Sequence, residues 1–361
     1  MDNGFEERFQ VLHEVVAAAR NALNANMWDY IVGGTATETT VRRNRLAFDR
    51  IGFRPRVLND VSSVDPSGSF LGHNIRIPVA LAPVGGLEQI APDGGVIVAR
   101  GAGMAGIPFF ISSVSEAGLE RVAEAATGPK IFQLYVRGDD AWVDDYVHRA
   151  VDNGYDAFCI TVDSAHYSRR ERDIAKRFTK PWRATSASHQ AALHWDDIAR
   201  FKDQHRVKLI LKGIATAEDA VRACALGVEG IYVSNHGGRQ LDHGAGSMEV
   251  LGEVLDAVAG RAFTIVDGGI SRGSDVVKAI AMGADLVGMG RLYCYGLAAG
   301  GAEGIQRVVE LLEIEIVETL GLLGLASFEG LDKSYLRQVE AVMEPHVLSA
   351  FPLLSLPTQR Y

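Results

Sequence analysis

A histidine and an arginine follow a short apolar run in the stretch GIYVSNHGGRQLD, which begins at Gly230. The imidazole of His236 has an ordinary pKa of about 6.5, so it can accept a proton at neutral pH. Arg239 can hold a carboxylate through two parallel hydrogen bonds. A base beside a carboxylate-binding cation predicts acid–base chemistry on a small anionic substrate. The alternative is a histidine that only makes a structural hydrogen bond.

The surrounding chain alternates short runs of Val, Ile and Phe with longer segments of helical period, as repeated βαβ units do. Strands that are apolar on both faces and joined by helices predict a parallel sheet. Eight such units predict an α/β protein closed into a (β/α)8 TIM barrel, with an open doubly wound sheet as the alternative. The predicted strands lie at residues 79–84, 109–112, 131–135, 157–163, 209–212, 230–235, 264–267 and 286–289, with helices such as 216–226 and 248–258 between them.

We expect one domain over residues 1–361, with a barrel core at about 79–320. Residues 1–60 are predicted as an N-terminal helical extension whose first helix lies around 5–25. C-terminal helices are predicted too, including a long one from about residue 302, followed by a tail that contains prolines. The connection at residues 165–207 is long for a βα loop, which predicts a lid.

Composition narrows the function classes. The chain has 36 Lys+Arg against 45 Asp+Glu and no basic stripe, so no nucleic-acid partner is expected. Runs of roughly 18 apolar residues and the features of a signal peptide are both missing, so no membrane association is predicted. The three cysteines, Cys159, Cys224 and Cys294, are too widely spaced for a disulfide framework or a metal site. A reducing, cytoplasmic setting is the prediction.

Polar residues come at or just after the ends of most predicted strands, and in a barrel these ends meet at one face. Asp163 is expected near His236, where a carboxylate would fix the imidazole tautomer. Arg170, in the segment SRRERD, is a second candidate for binding a carboxylate. The other residues at these ends are Gln133, Tyr135, Thr161, Lys212, Asp267, Gly268, Gly269, Gly290 and Arg291.

The turns after the last two predicted strands have the composition of a phosphate site. Gly268-Gly269 and Gly290 would let backbone N–H groups approach an anion, and Arg291 would add a charge-assisted hydrogen bond. Barrels commonly bind phosphate at this position. Without the arginine, these would be two ordinary glycine turns.

SNHGGRQLD, together with LKGI, ITVDS, QLYV, DGG and GR and with WDYIVGG near residue 28, resembles the FMN-dependent α-hydroxy acid oxidase/dehydrogenase family. This family includes glycolate oxidase, lactate oxidase, mandelate dehydrogenase and the flavin domain of flavocytochrome b2. The resemblance covers nearly the whole chain. It implies oxidation of an L-2-hydroxy acid to the 2-oxo acid with FMN as cofactor. It also implies oxygen or a quinone-like carrier as electron acceptor, and a homo-oligomer that is a tetramer or an octamer.

The resemblance assigns roles by position. His236 matches the base, which takes a proton from the hydroxyl or, in the alternative mechanism, from the α-carbon. Asp163 matches its carboxylate partner. The substrate contacts are Arg170, Arg239, Tyr30 and Tyr135, and the lysine beside the flavin is Lys212. The cofactor contacts are Pro83, Val84, Gly85, Ser112, Gln133, Thr161, Lys212, Ser234, Asp267, Gly268, Gly269, Ser271, Gly290 and Arg291.

Some positions depart from the family pattern. Ser271 stands where relatives usually have arginine, which puts one phosphate contact in doubt. Val114 replaces a bulky aromatic, and Gly85-Gly86 replaces a larger pair. The smaller residues predict a substrate bulkier than glycolate, aryl or branched. The alternatives are another FMN-barrel reaction, such as isomerisation of an isoprenoid diphosphate, and a non-catalytic flavin-binding protein.

Overall fold

The predicted strands form a closed parallel barrel in the computed structural model of the protein, which describes residues 4–178 and 188–355. The last barrel strand pairs with the first, Val287 opposite Val79, and this pairing closes the ring. The (β/α)8 TIM barrel is therefore confirmed, and the open doubly wound sheet is wrong. In chain order the strands are β1 (Ile51–Phe53), β2 (Gly68–Phe70), β3 (His73–Ile75), β4 (Val79–Leu81), β5 (Phe109–Ser112), β6 (Lys130–Leu134), β7 (Ala157–Thr161), β8 (Leu209–Ile214), β9 (Gly230–Val233), β10 (Phe263–Val266), β11 (Leu286–Met289) and β12 (Leu336–Gln338).

Helices precede, connect and follow the barrel strands, which are β4 to β11. Their bounds are α1 (Phe5–Arg8), α2 (Leu12–Ala22), α3 (Ala25–Val32), α4 (Thr39–Asp49), α5 (Gly94–Ala105), α6 (Leu119–Ala125), α7 (Asp140–Asp152), α8 (Glu171–Ala175), α9 (Ser188–Ala192), α10 (Trp195–Gln204), α11 (Ala217–Ala225), α12 (Ser247–Val258), α13 (Gly273–Met282) and α14 (Arg291–Leu323). The predicted lid at 165–207 contains α8, α9 and α10, while its residues 179–187 lie outside the described residues.

Most of the predicted strands run past the observed ends on the site face. Strand β4 ends at Leu81 rather than at residue 84, and β7 ends at Thr161 rather than at 163. Pro83 has no backbone N–H to donate to a ladder. Asp163 leaves the sheet to bind His236, 3.1 Å away between Oδ1 and Nδ1. A proline in one strand and a side-chain hydrogen bond in the other therefore end the strand pairing earlier than predicted.

The barrel encloses an apolar core, and a β-hairpin covers one end of the barrel. Phe110, Ile131 and Tyr232 point inward with other small and branched residues, because alternate residues of a strand face the same side. Strands β2 and β3 pair as a hairpin, and Phe70 packs edge-on against Phe263 at 5.3 Å between ring centroids. This plug fills one end of the barrel, which leaves the opposite end for a site.

The N-terminal extension is helical but not continuous. The single helix expected around 5–25 is wrong, because Phe9 is extended (φ −128°, ψ 99°) and separates α1 from α2. The side chain of Phe9 is 3% exposed, and its carbonyl accepts a hydrogen bond of 2.8 Å from Arg307 Nε. Burial of this ring and the hydrogen bond to α14 thus outweigh continuation of the helix.

Helix α14 starts earlier than the expected residue 302. It begins at Arg291 and has non-helical angles at Gly300 and Gly301, so two helices meet at a kink. The expected long helix is the second of these. No helix within residues 4–178 and 188–355 is long and apolar enough to cross a membrane.

A buried ion pair fastens the N-terminal extension to the barrel. Arg45 of α4 donates two hydrogen bonds of 2.8 Å to the carboxylate of Asp275 in α13. Both residues are at most 5% exposed. Burial alone would raise the pKa of Asp275, but the guanidinium lowers it overall, so the carboxylate stays ionised. Asp275 also accepts from the backbone N–H groups of Ser271 and Arg272, which shapes the turn after β10.

We predict that Arg45→Met lowers the free energy of unfolding by about 3–5 kcal/mol, because it leaves a buried carboxylate unpaired. The measurement is urea unfolding followed by circular dichroism at a fixed FMN concentration. Arg42→Met is the matched control, since Arg42 is exposed on the same helix, and we expect a change within about 0.5 kcal/mol. Equal effects of the two substitutions would contradict a stabilising role for the ion pair.

Candidate active site

His236 lies at the open end of the barrel between two polar partners. Its Nδ1 is 3.1 Å from Oδ1 of Asp163, and its Nε2 is 3.0 Å from the hydroxyl of Tyr135. Because a carboxylate accepts, Nδ1 carries the hydrogen and Nε2 is the acceptor. The structure therefore joins three of the predicted site residues in one chain of hydrogen bonds.

A left-handed turn presents this imidazole to the cavity. His236, Gly237 and Gly238 have φ values of 61°, 64° and 74°. Such values are strained for a residue with a Cβ but not for glycine. A Cβ at Gly238 would also lie 2.6 Å from the backbone nitrogen of Val41. The two glycines are thus required by both conformation and close packing.

Asp163 packs against another glycine, Gly213, which was not predicted as a site residue from the sequence. Gly213 follows Lys212 in β8 at φ 110°, where the pairing with β9 shifts register. A Cβ there would lie 2.6 Å from Cβ of Asp163. The glycine in LKGI, next to the candidate lysine, was the available signal.

Lys212 is 3% exposed and lies between a hydroxyl and a carboxylate. Its Nζ donates to Ser234 Oγ at 2.8 Å and is 3.5 Å from Oδ2 of Asp267. Burial by itself would lower the pKa of Lys212, but the carboxylates of Asp267 and Asp163 raise it overall. The ammonium therefore stays charged.

The pKa of His236 moves the other way. Burial lowers it most, Asp163 opposes this, and the positive charges of Lys212 and Arg170 add to the lowering. Net lowering keeps the imidazole neutral at neutral pH, with Nε2 available as a base. One environment thus holds a charged lysine beside a neutral histidine.

Arg239 is anchored to the N-terminal extension. Its Nη1 donates to the carbonyls of Tyr30 and Gly33 at 2.6 and 2.8 Å, and its guanidinium stacks on the Tyr30 ring at 4.6 Å. Its Nη2 is buried without a hydrogen-bond partner among the described residues. Burial, with a contribution from Arg170, lowers the pKa of Arg239 to about 10, so it remains a cation. A buried charged donor without a partner fits an anion-binding position.

Arg170 approaches the same cavity from the loop after β7. It is 8% exposed, its Nε donates to Ser168 Oγ at 3.3 Å, and its guanidinium lies 5.0 Å from the centre of the Tyr167 ring. The Ser168 hydroxyl in turn donates to the carbonyl of Arg239. This shared serine holds the two predicted carboxylate-binding arginines on one side of the cavity.

Arg291 begins α14 and also contacts the end of α3. Its Nε donates to Ile31 O and its Nη2 to Gly33 O, both at 2.9 Å. Its Nη1 lies against Gly237, where a Cβ would be 2.8 Å away. The first N–H groups of α14 lack intrahelical partners, so Arg291 stands at a helix end that favours anions.

The turn after β10 contains Ser271 at the position where the family resemblance leads us to expect an arginine. Ser271 Oγ donates back to Gly269 O at 3.3 Å. Arg272 pairs with Glu315, with 2.6 Å between Nη2 and Oε1, and so does not replace an arginine at position 271. Gly268 and Gly269, at φ 95° and 90°, pack against Asn44. An anion at this turn would therefore meet backbone N–H groups and Arg291, but no guanidinium from position 271 or 272.

The predicted residues divide into cavity walls and buried strand positions. The cavity wall contains Tyr30, Pro83, Val84, Gly85, Tyr135, Arg170, Lys212, His236, Arg239, Asp267, Gly268, Gly269, Ser271, Gly290 and Arg291. Ser112, Gln133, Thr161 and Ser234 are at most 2% exposed in or beside the adjoining strand ends. Both amide atoms of Gln133 and the hydroxyl of Thr161 are buried without a partner among the described residues. Orphaned donors and acceptors of this kind fit the polar edge of a flavin ring.

Sequence reasoning missed some residues that shape this site. The amides of Asn44 and Asn235 bond to each other at 2.7 and 2.9 Å, which joins α4 to the histidine turn. Gln190 of α9 accepts from Val136 N and donates to Thr161 O at 2.7 and 2.8 Å, which ties the lid region to the barrel. Nothing local in the sequence indicates these long-range partners. Arg137 also lines the cavity, next in alternation after Tyr135.

Comparisons with known proteins identify the family of the chain. The family profile described as FMN-dependent dehydrogenase matches residues 19–191 and 183–338. The chain is 35% identical to the L-lactate oxidase of Nostoc sp., covering 90% of this chain and 97% of that protein. It is 37% identical to glycolate oxidase 3 of Arabidopsis thaliana, covering 92% and 96%. A soluble mutant of the membrane-associated (S)-mandelate dehydrogenase from Pseudomonas putida superposes with a TM-score of 0.87 at 34% identity, covering 91% and 99%.

These matches define a flavin-dependent oxidoreductase that acts on CH–OH donors, with a (β/α)8 barrel and FMN as its cofactor. The chain belongs to the FMN-dependent dehydrogenase family, among the 2-hydroxy acid oxidases and dehydrogenases. The relatives named above act on lactate, glycolate or mandelate, so the substrate of this chain is not fixed by the comparison.

We predict that Gln133→Leu weakens FMN binding about 3- to 10-fold, because one hydrogen bond to the cofactor is lost. The same substitution should not lower the melting temperature of the apoprotein, since it removes an unpaired buried amide. FMN titration by fluorescence and thermal unfolding measure the two effects. Gln204→Leu, on the exposed end of α10, is the control. Unchanged FMN affinity in Gln133→Leu would mean that this amide does not contact the flavin.

Proposed function

We propose that the protein oxidises an L-2-hydroxy acid to the 2-oxo acid, with His236 as the base and the arginines as the carboxylate clamp. The observation that carries this proposal is the hydrogen-bonded set of Asp163, His236 and Tyr135 beside the unpaired Nη2 of Arg239. A base and an anion-binding donor in one cavity are what this reaction needs.

The substrate carboxylate binds between Arg170 and Arg239. Ser168 holds these arginines side by side, and α3 fixes Arg239 through two carbonyls. The Tyr30 hydroxyl donates to Gly85 O at 3.0 Å, so this ring is fixed at the same wall. A clamp fixed by its own hydrogen bonds loses little entropy when the substrate binds.

His236 takes a proton from the bound acid at Nε2. Tyr135 occupies that nitrogen in the structure, and the substrate hydroxyl takes its place in the complex. Asp163 then stabilises the imidazolium through Nδ1. The proton comes from the hydroxyl as hydride leaves the α-carbon; in the alternative mechanism His236 takes the α-proton instead.

FMN, when bound, supplies the acceptor for the two electrons that leave the α-carbon. Among the residues of this chain, Lys212 places a charged ammonium next to Ser234 and the strand ends where Gln133 and Thr161 are unpaired. Ser112, Gln133 and Thr161 are proposed to bind the flavin ring. The turns at Gly268–Ser271 and Gly290–Arg291 are proposed to bind its phosphate.

We predict that His236→Ala keeps FMN but abolishes its bleaching when 2-hydroxy acids are mixed with the enzyme under anaerobic conditions. Asp163→Asn should slow the bleaching by about 10²- to 10⁴-fold, since the imidazolium loses its partner. Asp163 raises the pKa of His236, so its removal should also move the acid limb of kcat/KM to lower pH. Stopped-flow flavin absorbance between pH 5 and 9 measures both effects.

The control for this experiment is His148→Ala, because His148 lies on α7, away from the cavity wall. This variant should bleach at the rate of the parent enzyme. Rapid bleaching in His236→Ala would overturn the assignment of the base. An unchanged acid limb in Asp163→Asn would mean that another group controls it.

We also propose a substrate bulkier than glycolate, aryl or branched. Val114 lines the cavity with a small side chain, and Gly85 and Gly86 add little volume beside it. The mandelate dehydrogenase structure named above supports an aryl acid as one such substrate.

We predict that kcat/KM for glycolate is below that for larger 2-hydroxy acids, by at least about 10-fold for the side-chain contacts that glycolate lacks. A panel of glycolate, lactate, 2-hydroxyisocaproate and mandelate measures the order. Val114→Trp should reverse it, because the indole fills the added space. Glycolate as the best substrate of the parent enzyme would contradict this prediction.

Other features of the sequence prediction stay proposals. We propose oxygen or a quinone-like carrier as electron acceptor, and a tetrameric or octameric homo-oligomer. A cytoplasmic location is supported by free cysteines, of which Cys159 and Cys294 are buried. We further propose one domain over residues 1–361 and a lid role for residues 165–207, which Gln190 ties to the barrel.

A further inference from the structure

Arg137 lines the same cavity as the proposed clamp, at a position that the reaction does not use. It follows the end of β6, two residues after Tyr135 and four after Gln133. The residues between them, Leu134 and Val136, are buried in the core outside the barrel. This alternation places Tyr135 and Arg137 on the cavity side, with Arg137 about 6–7 Å further along the chain toward the mouth.

The other cations of the cavity wall have partners. Arg45 pairs with Asp275 and Lys212 with Asp267. Arg239 and Arg291 bind the carbonyls at the end of α3, and Arg170 binds Ser168. Arg137 makes no hydrogen bond or ion pair with any residue that the structure describes. The sequence of 179–187, TKPWRATSA, contains no acidic residue either.

Partial burial of the charged Arg137 guanidinium costs free energy. Arg137 is half-buried, and burial lowers the pKa of its guanidinium, with only the hydroxyls of Tyr135 and Tyr146 opposing the shift. A partly desolvated charge without an anion does not stabilise a fold. Its position on a cavity wall instead fits a charge that a ligand neutralises.

We propose that Arg137 binds a second anionic group at the far end of the substrate, so that the preferred substrates are 2-hydroxy dicarboxylic acids. This proposal rests on the proposed function, because Arg170 and Arg239 bind the first carboxylate. Val114 leaves room on the neighbouring strand end: Ser113 Oγ accepts from Tyr135 N at 3.1 Å, which holds the two strand ends together. In this proposal the space beside Val114 holds an acidic side chain, which replaces the aryl or branched group proposed above and is likewise bulkier than that of glycolate.

A neutral aryl side chain is the competing occupant of this space. An arginine can stack on the face of an aromatic ring, which attracts the cation. Arg170 and Arg239 share a single carboxylate, however, so positive charge remains in the cavity. A neutral aromatic ring does not neutralise that charge. A guanidinium also binds a carboxylate through two parallel hydrogen bonds, which gives direction as well as charge balance.

The experiment compares 2-hydroxyglutarate with its distal monoamide, which has the same shape and no second charge. Anaerobic flavin reduction gives kcat/KM for both acids and for mandelate. We expect the diacid to exceed the monoamide about 10- to 100-fold, as for a charged hydrogen-bonded pair. In Arg137→Met this ratio should fall to about one, with the rate for lactate unchanged.

Arg206→Met is the matched control, because Arg206 is exposed just before β8, at the opposite end of the barrel. It should keep the ratio of the parent enzyme. Mandelate as the best substrate, with a rate that falls in Arg137→Met, would overturn the proposal in favour of ring stacking. Equal rates for diacid and monoamide in the parent enzyme would overturn it as well.

A binding measurement separates this proposal from the proposed function. Glutarate and glutaramate lack the 2-hydroxyl and cannot react, and their dissociation constants follow from perturbation of the flavin spectrum. Tighter binding of glutarate, lost in Arg137→Met and kept in Arg206→Met, supports the second anion site even if no 2-hydroxy acid reduces the flavin. Equal binding of the two analogues counts against the site whatever the enzyme oxidises.

Discussion

The site depends on hydrogen bonds between two arginines of the barrel and the C-terminal end of α3. Arg239 follows β9 and Arg291 follows β11, yet both donate to the carbonyls of residues 30–33. The last carbonyls of a helix have no intrahelical partner and carry partial negative charge, so they suit guanidinium groups. The barrel alone therefore does not complete the site. The N-terminal extension orients the cations, and Arg45–Asp275 holds that extension in place.

This arrangement also sets the charge balance of the cavity. Positive side chains outnumber carboxylates around His236. Burial lowers the pKa of its imidazole most, and Lys212 and Arg170 add to that lowering. Asp163 opposes this shift, and together with Asp267 it raises the pKa of Lys212 against the effect of burial. A neutral base and a charged lysine thus coexist because Asp267 lies 3.5 Å from the lysine while Asp163 contacts the histidine. An anionic substrate and the phosphate of the cofactor both gain from the remaining positive charge.

Sequence patterns predicted the barrel and the polar strand-end residues of the cavity wall because both depend on local signals. The family resemblance alone predicted the wall residues Tyr30, Pro83, Val84, Gly85 and Ser271. Apolar runs mark strands, and the residues after them must lie at one face. What the patterns missed depends on contacts distant in sequence. Phe9 interrupts the first helix, where its ring is buried and its carbonyl accepts from Arg307 of α14, and Asn44 binds Asn235 of the histidine turn. The strand ends were predicted too long because residues such as Asp163 exchange ladder pairing for side-chain bonds. The local sequence does not indicate which of these two kinds of bond such a residue makes.

In the proposed function, reaction and specificity use different kinds of residue in this cavity. His236, Arg239 and Lys212 are held by bonds that also build the turns around them, so replacing them disturbs both chemistry and structure. Val114 and Arg137 line the cavity too, but their side chains make no hydrogen bond to the described part of the chain. Substitution there changes the shape and charge of the cavity without loss of a structural bond. A barrel of this kind can therefore keep one reaction while the residues just beyond its strand ends select the acid.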